Sequence, residues 1–124
     1  LRDRLHFPGP VGNIQQWYER AQLFVLSSRY EGFPNVLLEA MASGCCCIAS
    51  DCPQGPAELI QDSVNGRLIP ENASTQHWIN AINELLRQPV LRQGLGAAAE
   101  EVRDRYHPER LSSSFIAALD HLLQ

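Results

Sequence analysis

Lysine is missing from this 124-residue chain; all ten basic residues are arginine. Set against fourteen acidic residues they leave a net charge of −4, so the chain exerts no long-range pull on nucleic acid or anionic lipid. Long apolar runs are missing too, and none approaches the ~20 residues needed to cross a bilayer. No basic-then-apolar segment opens the chain, so no secretory signal is read there. No G-x-G-x-x-G follows a candidate strand, which argues against a dinucleotide-binding Rossmann protein. His6, His77, His107 and His121 are scattered at element ends or on helix faces and read as structural or exposed. None pairs with a nucleophile, so no Ser-His-Asp or Cys-His arrangement is expected.

The four cysteines show neither C-x-x-C pairs nor a nearby histidine, which argues against a metal site. Cys45, Cys46 and Cys47 are consecutive. In a strand, Cys45 and Cys47 share one face and Cys46 takes the other. Buried, reduced thiols are expected, and with them a reducing, cytoplasmic compartment.

Hydrophobic residues at 44% and charged residues at 19% describe a globular chain, long enough for one domain with a real core. Residues 1–7 read as a short strand ending at the Pro8-Gly-Pro10 turn. Asn13 is placed to cap a helix through about Arg20, with Ile14, Trp17 and Tyr18 on one face. Leu23-Phe-Val-Leu26 is a short buried strand. A helix runs from about Asn35 to Ser43 and stops at Gly44, which suits a left-handed cap. Residues 45–50 form the next strand, and Pro56 opens a short helix over Ala57–Gln61. Asn65-Gly66 turns tightly into Arg67-Leu-Ile69. Ser74 or Thr75 caps a helix whose stripe is Trp78, Ile79, Ile82, Leu85 and Leu86. Residues 90–106 form another helix, broken or softened by Gly94 and Gly96. Pro108 opens the last, with Leu111, Phe115, Ile116, Leu119, Leu122 and Leu123 as its apolar side. Strand and helix alternate, so the fold class is α/β with a parallel sheet.

Glu31-Gly-Phe-Pro-Asn-Val-Leu-Leu-Glu39 sits where the buried strand becomes a helix. With Asn35 as N-cap, the free backbone N–H groups of Val36, Leu37 and Leu38 would point into the strand-end crevice, an anion site suited to a phosphate. Carboxylates beside a phosphate repel it. They make sense as acceptors for sugar hydroxyls, and a diphosphate with a sugar at each end is a nucleotide sugar. Read alone, Glu39 is a surface acid favoured by the helix dipole, and Glu31 an ordinary loop charge.

Ser27-Ser-Arg-Tyr-Glu-Gly-Phe-Pro-Asn-Val-Leu-Leu-Glu-Ala-Met-Ala-Ser-Gly44 closely resembles the signature of retaining glycosyltransferases of family 4, which have the GT-B fold. Ile48-Ala-Ser-Asp51, Gly55-Pro56-Ala57-Glu58 and Asn65-Gly66 fall where that family has its next strand, loop and turn. The resemblance covers nearly the whole chain and is specific around residues 27–66. It departs at Cys46-Cys47, where the family usually has Pro-Val.

The resemblance implies a partial doubly wound, Rossmann-like sheet. Residues 1–124 would form a single partial donor-binding domain, the later part of a GT-B C-terminal domain. The first two strands of that domain, and the acceptor-binding N-terminal domain, would lie outside it. It implies donor contacts at Gly32, Phe33, Asn35, Val36, Leu37 and Gly55, with Glu39 on the ribose hydroxyls. Glu31 would stand at the reacting centre. Phe33 and Asn35 would offer backbone N–H groups to sugar hydroxyls, unless Asn35 only caps its helix. Glu58 could equally cap its own short helix, while Arg29 and Tyr30 read as solvated and packed.

The implied reaction moves a hexose from a nucleoside diphosphate sugar to a hydroxyl acceptor, without a metal or other cofactor. The family's diphosphate-neutralising arginine and lysine belong to the region outside, and no lysine here can replace them. These residues alone are therefore expected to be inactive, and the intact enzyme to be cytoplasmic or peripheral to a membrane. Strand 23–26 would present an unpaired edge and invite a homodimer. The rival reading is a non-catalytic binding or assembly module, or one half of a split transferase.

Overall fold

The chain places three short parallel strands side by side in sequence order: β1 (Phe24–Leu26), β2 (Cys47–Asp51) and β3 (Arg67–Pro70). The computed structural model describes residues 2–30 and 32–123, except for the side chains of residues 114 and 115. Phe24 stands opposite Cys47 across the first ladder, and Ile48 opposite Arg67 across the second. β2 is the central strand, and its first four residues are buried. A parallel strand covered on both faces needs a continuous run of small or apolar side chains, and Cys-Ile-Ala-Ser supplies one.

The helices are α1 (Ile14–Arg20), α2 (Asn35–Ala42), α3 (Thr75–Arg87), α4 (Pro89–Ala99), α5 (Val102–Arg105) and α6 (Pro108–Leu123). On one face of the sheet, Cys47 and Ala49 pack with Leu37, Ala40 and Met41 of α2, and with Tyr18, Ala99 and Val102. On the other, Cys46 and Ile48 pack with Ile69, Ala81, Leu85 and Leu95. The thiols alternate between the layers as the strand period requires. All four cysteines are buried and unpaired. Burial pushes the Cys46 thiol up to about 11. Cys47 is pushed up by its hydrogen bond with Cys45 and then by burial. Both are therefore neutral core groups, not nucleophiles.

α2 ends in a Schellman turn. Gly44 has φ +77°, its N–H donates to the Met41 carbonyl at 3.0 Å, and Cys45 N–H donates to the Ala40 carbonyl at 3.1 Å. α4 crosses this turn at Gly96, where a Cβ would come within 2.4 Å of the Gly44 carbonyl oxygen. Gly96 is thus a packing residue inside α4. The interruption expected at Gly94 and Gly96 falls instead at Glu100–Glu101, between α4 and α5. A Cβ added at Gly94 would have nothing within 4 Å. Gly94→Ala is therefore expected to stabilise by up to about 1 kcal/mol through helix propensity. Gly96→Ala should destabilise by about 1–3 kcal/mol, since backbone must move. Urea midpoints of the two variants check the opposite signs.

Other expectations are corrected. The strand expected at residues 1–7 is not found among the described residues 2–7: Arg2–Arg4 make a single 3-10 turn, and Leu5 and Phe7 are exposed. No described strand lies beside them, and a lone extended segment has nothing to offset its ordering entropy. Asn13 does stand at the N-cap of α1 but its side chain accepts no cap bond; its amide donates to Gln16 Oε1 at 3.1 Å. The helix expected at 57–61 is a 3-10 turn at Pro56–Glu58. In the turn before β3 the left-handed residue is Ser63 (φ +62°), not Gly66. Asn65 is buried there and works through its side chain, accepting from Gln61 N–H at 2.8 Å and donating to the Leu59 carbonyl at 3.1 Å. Ser74 does cap α3, its hydroxyl accepting from His77 N–H at 3.1 Å. Within the α3 stripe Leu85 is buried and Ile82 and Trp78 half-buried, while Ile79 and Leu86 face out. In α6, Leu111, Ile116, Leu119, Leu122 and Leu123 are all exposed. Among the described residues no helix is long and apolar enough to cross a membrane.

Candidate functional site

The carboxyl ends of β1 and β2 open onto one crevice, the place where open α/β sheets take ligands. The loop after β1 leads into α2, and the loop after β2 runs through Gly55 to the 3-10 turn. Ser50, buried at the end of β2, donates its hydroxyl to the Ser28 carbonyl and ties the two loops together. Gln54 holds a left-handed conformation (φ +56°) beside the buried Gly55, so this loop is bent sharply back. Gly55 accepts from Glu58 N–H at 3.0 Å, which fixes the start of the 3-10 turn.

The cap of α2 lies one residue earlier than expected. Pro34, fully buried, is the N-cap and Asn35 the first helical residue, with no side-chain cap. A buried proline fixes the entry angle by its ring, so the capping role expected of Asn35 is not needed. The Asn35 N–H donates to the Phe33 carbonyl at 3.0 Å, and Leu38 N–H to the Pro34 carbonyl at 3.1 Å. Neither N–H is left for a ligand, contrary to expectation. The N–H groups of Val36 and Leu37 have no hydrogen-bond partner among the described residues. Of the three donors expected at this helix start, two remain. Gly32 is exposed and has open space around it. Phe33 is anchored by its ring, which lies 5.4 Å from that of Tyr106, just beyond α5. Arg105 covers the Tyr106 ring at 5.3 Å.

Glu31 lies outside the described residues. Glu39 is exposed, just over one turn into α2, on the helix face that looks toward α1. It lines a cleft of about 450 Å³ together with Ile14, Gln15, Tyr18, Ala42, Ser43 and Arg103. Arg103 donates to the Ala42 carbonyl at the end of α2 and pairs with Glu100 at 3.6 Å. Burial raises the Tyr18 phenol above its ordinary value, and the nearby charge of Glu39 raises it further. The surroundings of Glu39 come from α1 and α5, distant in sequence, so no local pattern marks them. Among the described residues no group of three or more His, Cys, Asp or Glu side chains could hold a metal ion.

The model of the family described as glycosyl transferases group 1 matches residues 1–88. The chain belongs to that family. Over 124 residues it is 36% identical to a lipopolysaccharide core biosynthesis mannosyltransferase, LpcC, of Rhizobium leguminosarum bv. viciae, covering 99% of this chain and 35% of the relative. It is similar in structure to the C-terminal domain of a group 1 glycosyl transferase, LpcC, from Francisella tularensis. That match has a TM-score of 0.69 and 29% identity, and covers 83% of this chain and 52% of that one. It is also similar to a mutant of S. aureus TarM in complex with Fondaparinux, alpha-GlcNAc-glycerol and UDP. Here the TM-score is 0.75 at 30% identity, over 83% of this chain and 21% of that one. The group 1 chain thus has the fold of a GT-B C-terminal domain. It spans about a third of the length of the curated relatives it matches.

Proposed function

We propose that this chain is the donor-binding part of a retaining glycosyltransferase that moves a hexose from a nucleoside diphosphate sugar to a hydroxyl acceptor. The observation that carries the reading is the helix start at the strand-end crevice, where Val36 and Leu37 offer two N–H groups and Glu39 stands just over one turn further on. The hexose is supported by the mannosyltransferase relative, and the diphosphate by the UDP held by the S. aureus neighbour.

In this reading the N–H groups of Val36 and Leu37 meet the leaving diphosphate, where aligned peptide dipoles favour negative charge. Glu39 accepts from the ribose hydroxyls. Glu31, Gly32 and Phe33 surround the transferred sugar, and Gly55 lets the second loop approach the donor. The acceptor oxygen bonds to the anomeric carbon as the carbon–phosphate oxygen bond breaks. The departing phosphate oxygen takes the acceptor's proton on the same face, so configuration is kept. The protein supplies orientation and charge stabilisation, and no metal or cofactor enters. Basic groups for the diphosphate come from the region outside these residues and the acceptor site from the N-terminal domain, and without them these residues turn nothing over. The uncovered edge of β1, where Val25 is exposed, invites pairing with a second copy.

The test is stereochemical and uses the complete enzyme. Proton NMR of the first product should show the anomeric configuration of the donor, and residues 1–124 alone should release no nucleoside diphosphate from the donor. Inversion would remove the retaining assignment, and turnover by residues 1–124 would remove the need for a second domain.

A further inference from the structure

One aromatic contact ties the loop before α2 to the far end of α5. Phe33 is 42% exposed, so the core does not hold its ring, and Gly32 before it is exposed with open space around it. What the Phe33 ring does meet is Tyr106, with centroids 5.4 Å apart and planes at 55°. Tyr106 is itself fixed from three sides. Its N–H donates to the Val102 carbonyl at 2.9 Å and closes α5. Its side chain packs against the buried layer that holds Leu37 and Met41. The Arg105 guanidinium lies over its ring at 5.3 Å. That guanidinium is pinned in turn: it pairs with Glu101 at 2.9 Å and donates to the carbonyls of Glu58 and Leu59 at 3.2 and 3.0 Å. Glu58 is the last residue of the 3-10 turn in the second loop. Both loops of the crevice therefore meet one corner, Arg105-Tyr106, which lies outside the motif of residues 27–66.

We propose that Tyr106 is a positioning residue for the transferred sugar: its ring seats Phe33 and so holds the Gly32-Phe33 backbone where it meets that sugar. The inference rests on the reading of Gly32 and Phe33 as sugar contacts. The Phe33 N–H has no hydrogen-bond partner among the described residues, and a sugar hydroxyl can accept from it. The nucleoside diphosphate is assigned to Val36, Leu37 and Glu39, on a helix seated by the buried Pro34 and Leu37. Loss of the ring contact should therefore be felt at the sugar and not at the diphosphate. A loop ordered in advance spares the complex an ordering cost equivalent to about two- to tenfold in affinity.

Isothermal titration of the complete enzyme separates the possibilities. UDP, GDP and ADP identify the diphosphate it binds most tightly, and UDP-glucose, UDP-galactose, GDP-mannose and ADP-glucose supply the matching sugar nucleotide. The readout is the ratio of the two dissociation constants, sugar nucleotide over diphosphate. Tyr106→Leu keeps apolar packing against the core and removes the ring. It should raise the ratio about two- to tenfold and leave the diphosphate within about twofold. Tyr106→Phe keeps the ring and should keep the unaltered ratio. Phe33→Leu should raise the ratio as far as Tyr106→Leu does, and the double variant no further. Equal weakening of both ligands in Tyr106→Leu, or an unchanged ratio, overturns the positioning role. If Phe33→Leu raises the ratio and Tyr106→Leu does not, the sugar contact stands and only the role of Tyr106 falls. If Phe33→Leu leaves the ratio unchanged, or the unaltered enzyme binds none of the diphosphates, the site assignment falls and takes Tyr106 with it.

Discussion

Glu39→Gln is expected to weaken nucleoside diphosphate binding roughly tenfold to a hundredfold with little effect on folding. Hydrogen bonds to a charged acceptor contribute about 1.5–3 kcal/mol, and glutamine presents one neutral acceptor in the same place. Glu39 is exposed, so no buried partner is left unsatisfied when its charge is removed. In the complete enzyme the loss should be seen as a raised Kd for the product nucleotide and a raised KM for the donor. Glu31→Gln should do the opposite: donor binding largely kept and kcat reduced, because that acid is assigned to the reacting centre. Isothermal titration and steady-state rates of the two variants side by side check the division. Wild-type affinity in the first together with wild-type turnover in the second would sink the assignment of the motif.

Leu37→Ala should cost about 2–5 kcal/mol of stability, the range for truncating a fully buried aliphatic side chain without collapse of the cavity. Leu37 is 0% exposed and lies in the layer that joins α2 to β2. A domain of this size has about 5–15 kcal/mol in total, so the variant would sit near the edge of folding. Val36, one residue earlier on the same helix, is 45% exposed. Val36→Ala should therefore change stability by no more than about 0.5 kcal/mol. Urea denaturation followed by tryptophan fluorescence measures both. Similar midpoints for the two variants would mean that α2 is not seated as described.

The parts of the fold that local rules govern were legible. β1, the alternation of Cys45, Cys46 and Cys47, the stop of α2 at Gly44 and the cap at Ser74 each follow from strand period or terminus chemistry within a few residues. What escaped was decided by contacts between distant segments. Gly96 looks like a helix breaker until α4 is known to cross the Gly44 carbonyl. Asn35 looks like a cap until Pro34 is seen to be buried and in that position. The strand expected at residues 1–7 had the right composition but no described neighbour to pair with. At the candidate site the motif residues of α2 were legible, while Tyr18 and Arg103 around Glu39 were not. They reach the cleft from helices that lie before and well after the motif.

The exposed apolar stripe of α6 has a consequence for how unfolding would be seen. A helix of sixteen residues with its described leucines and isoleucine facing water draws little support from tertiary packing, and isolated helices of that length are marginal. Both tryptophans, Trp17 and Trp78, lie in other helices. On warming, far-UV circular dichroism would register the loss of α6 before indole fluorescence registers the loss of the sheet. The two signals would then trace different curves, and no single melting temperature would describe the chain.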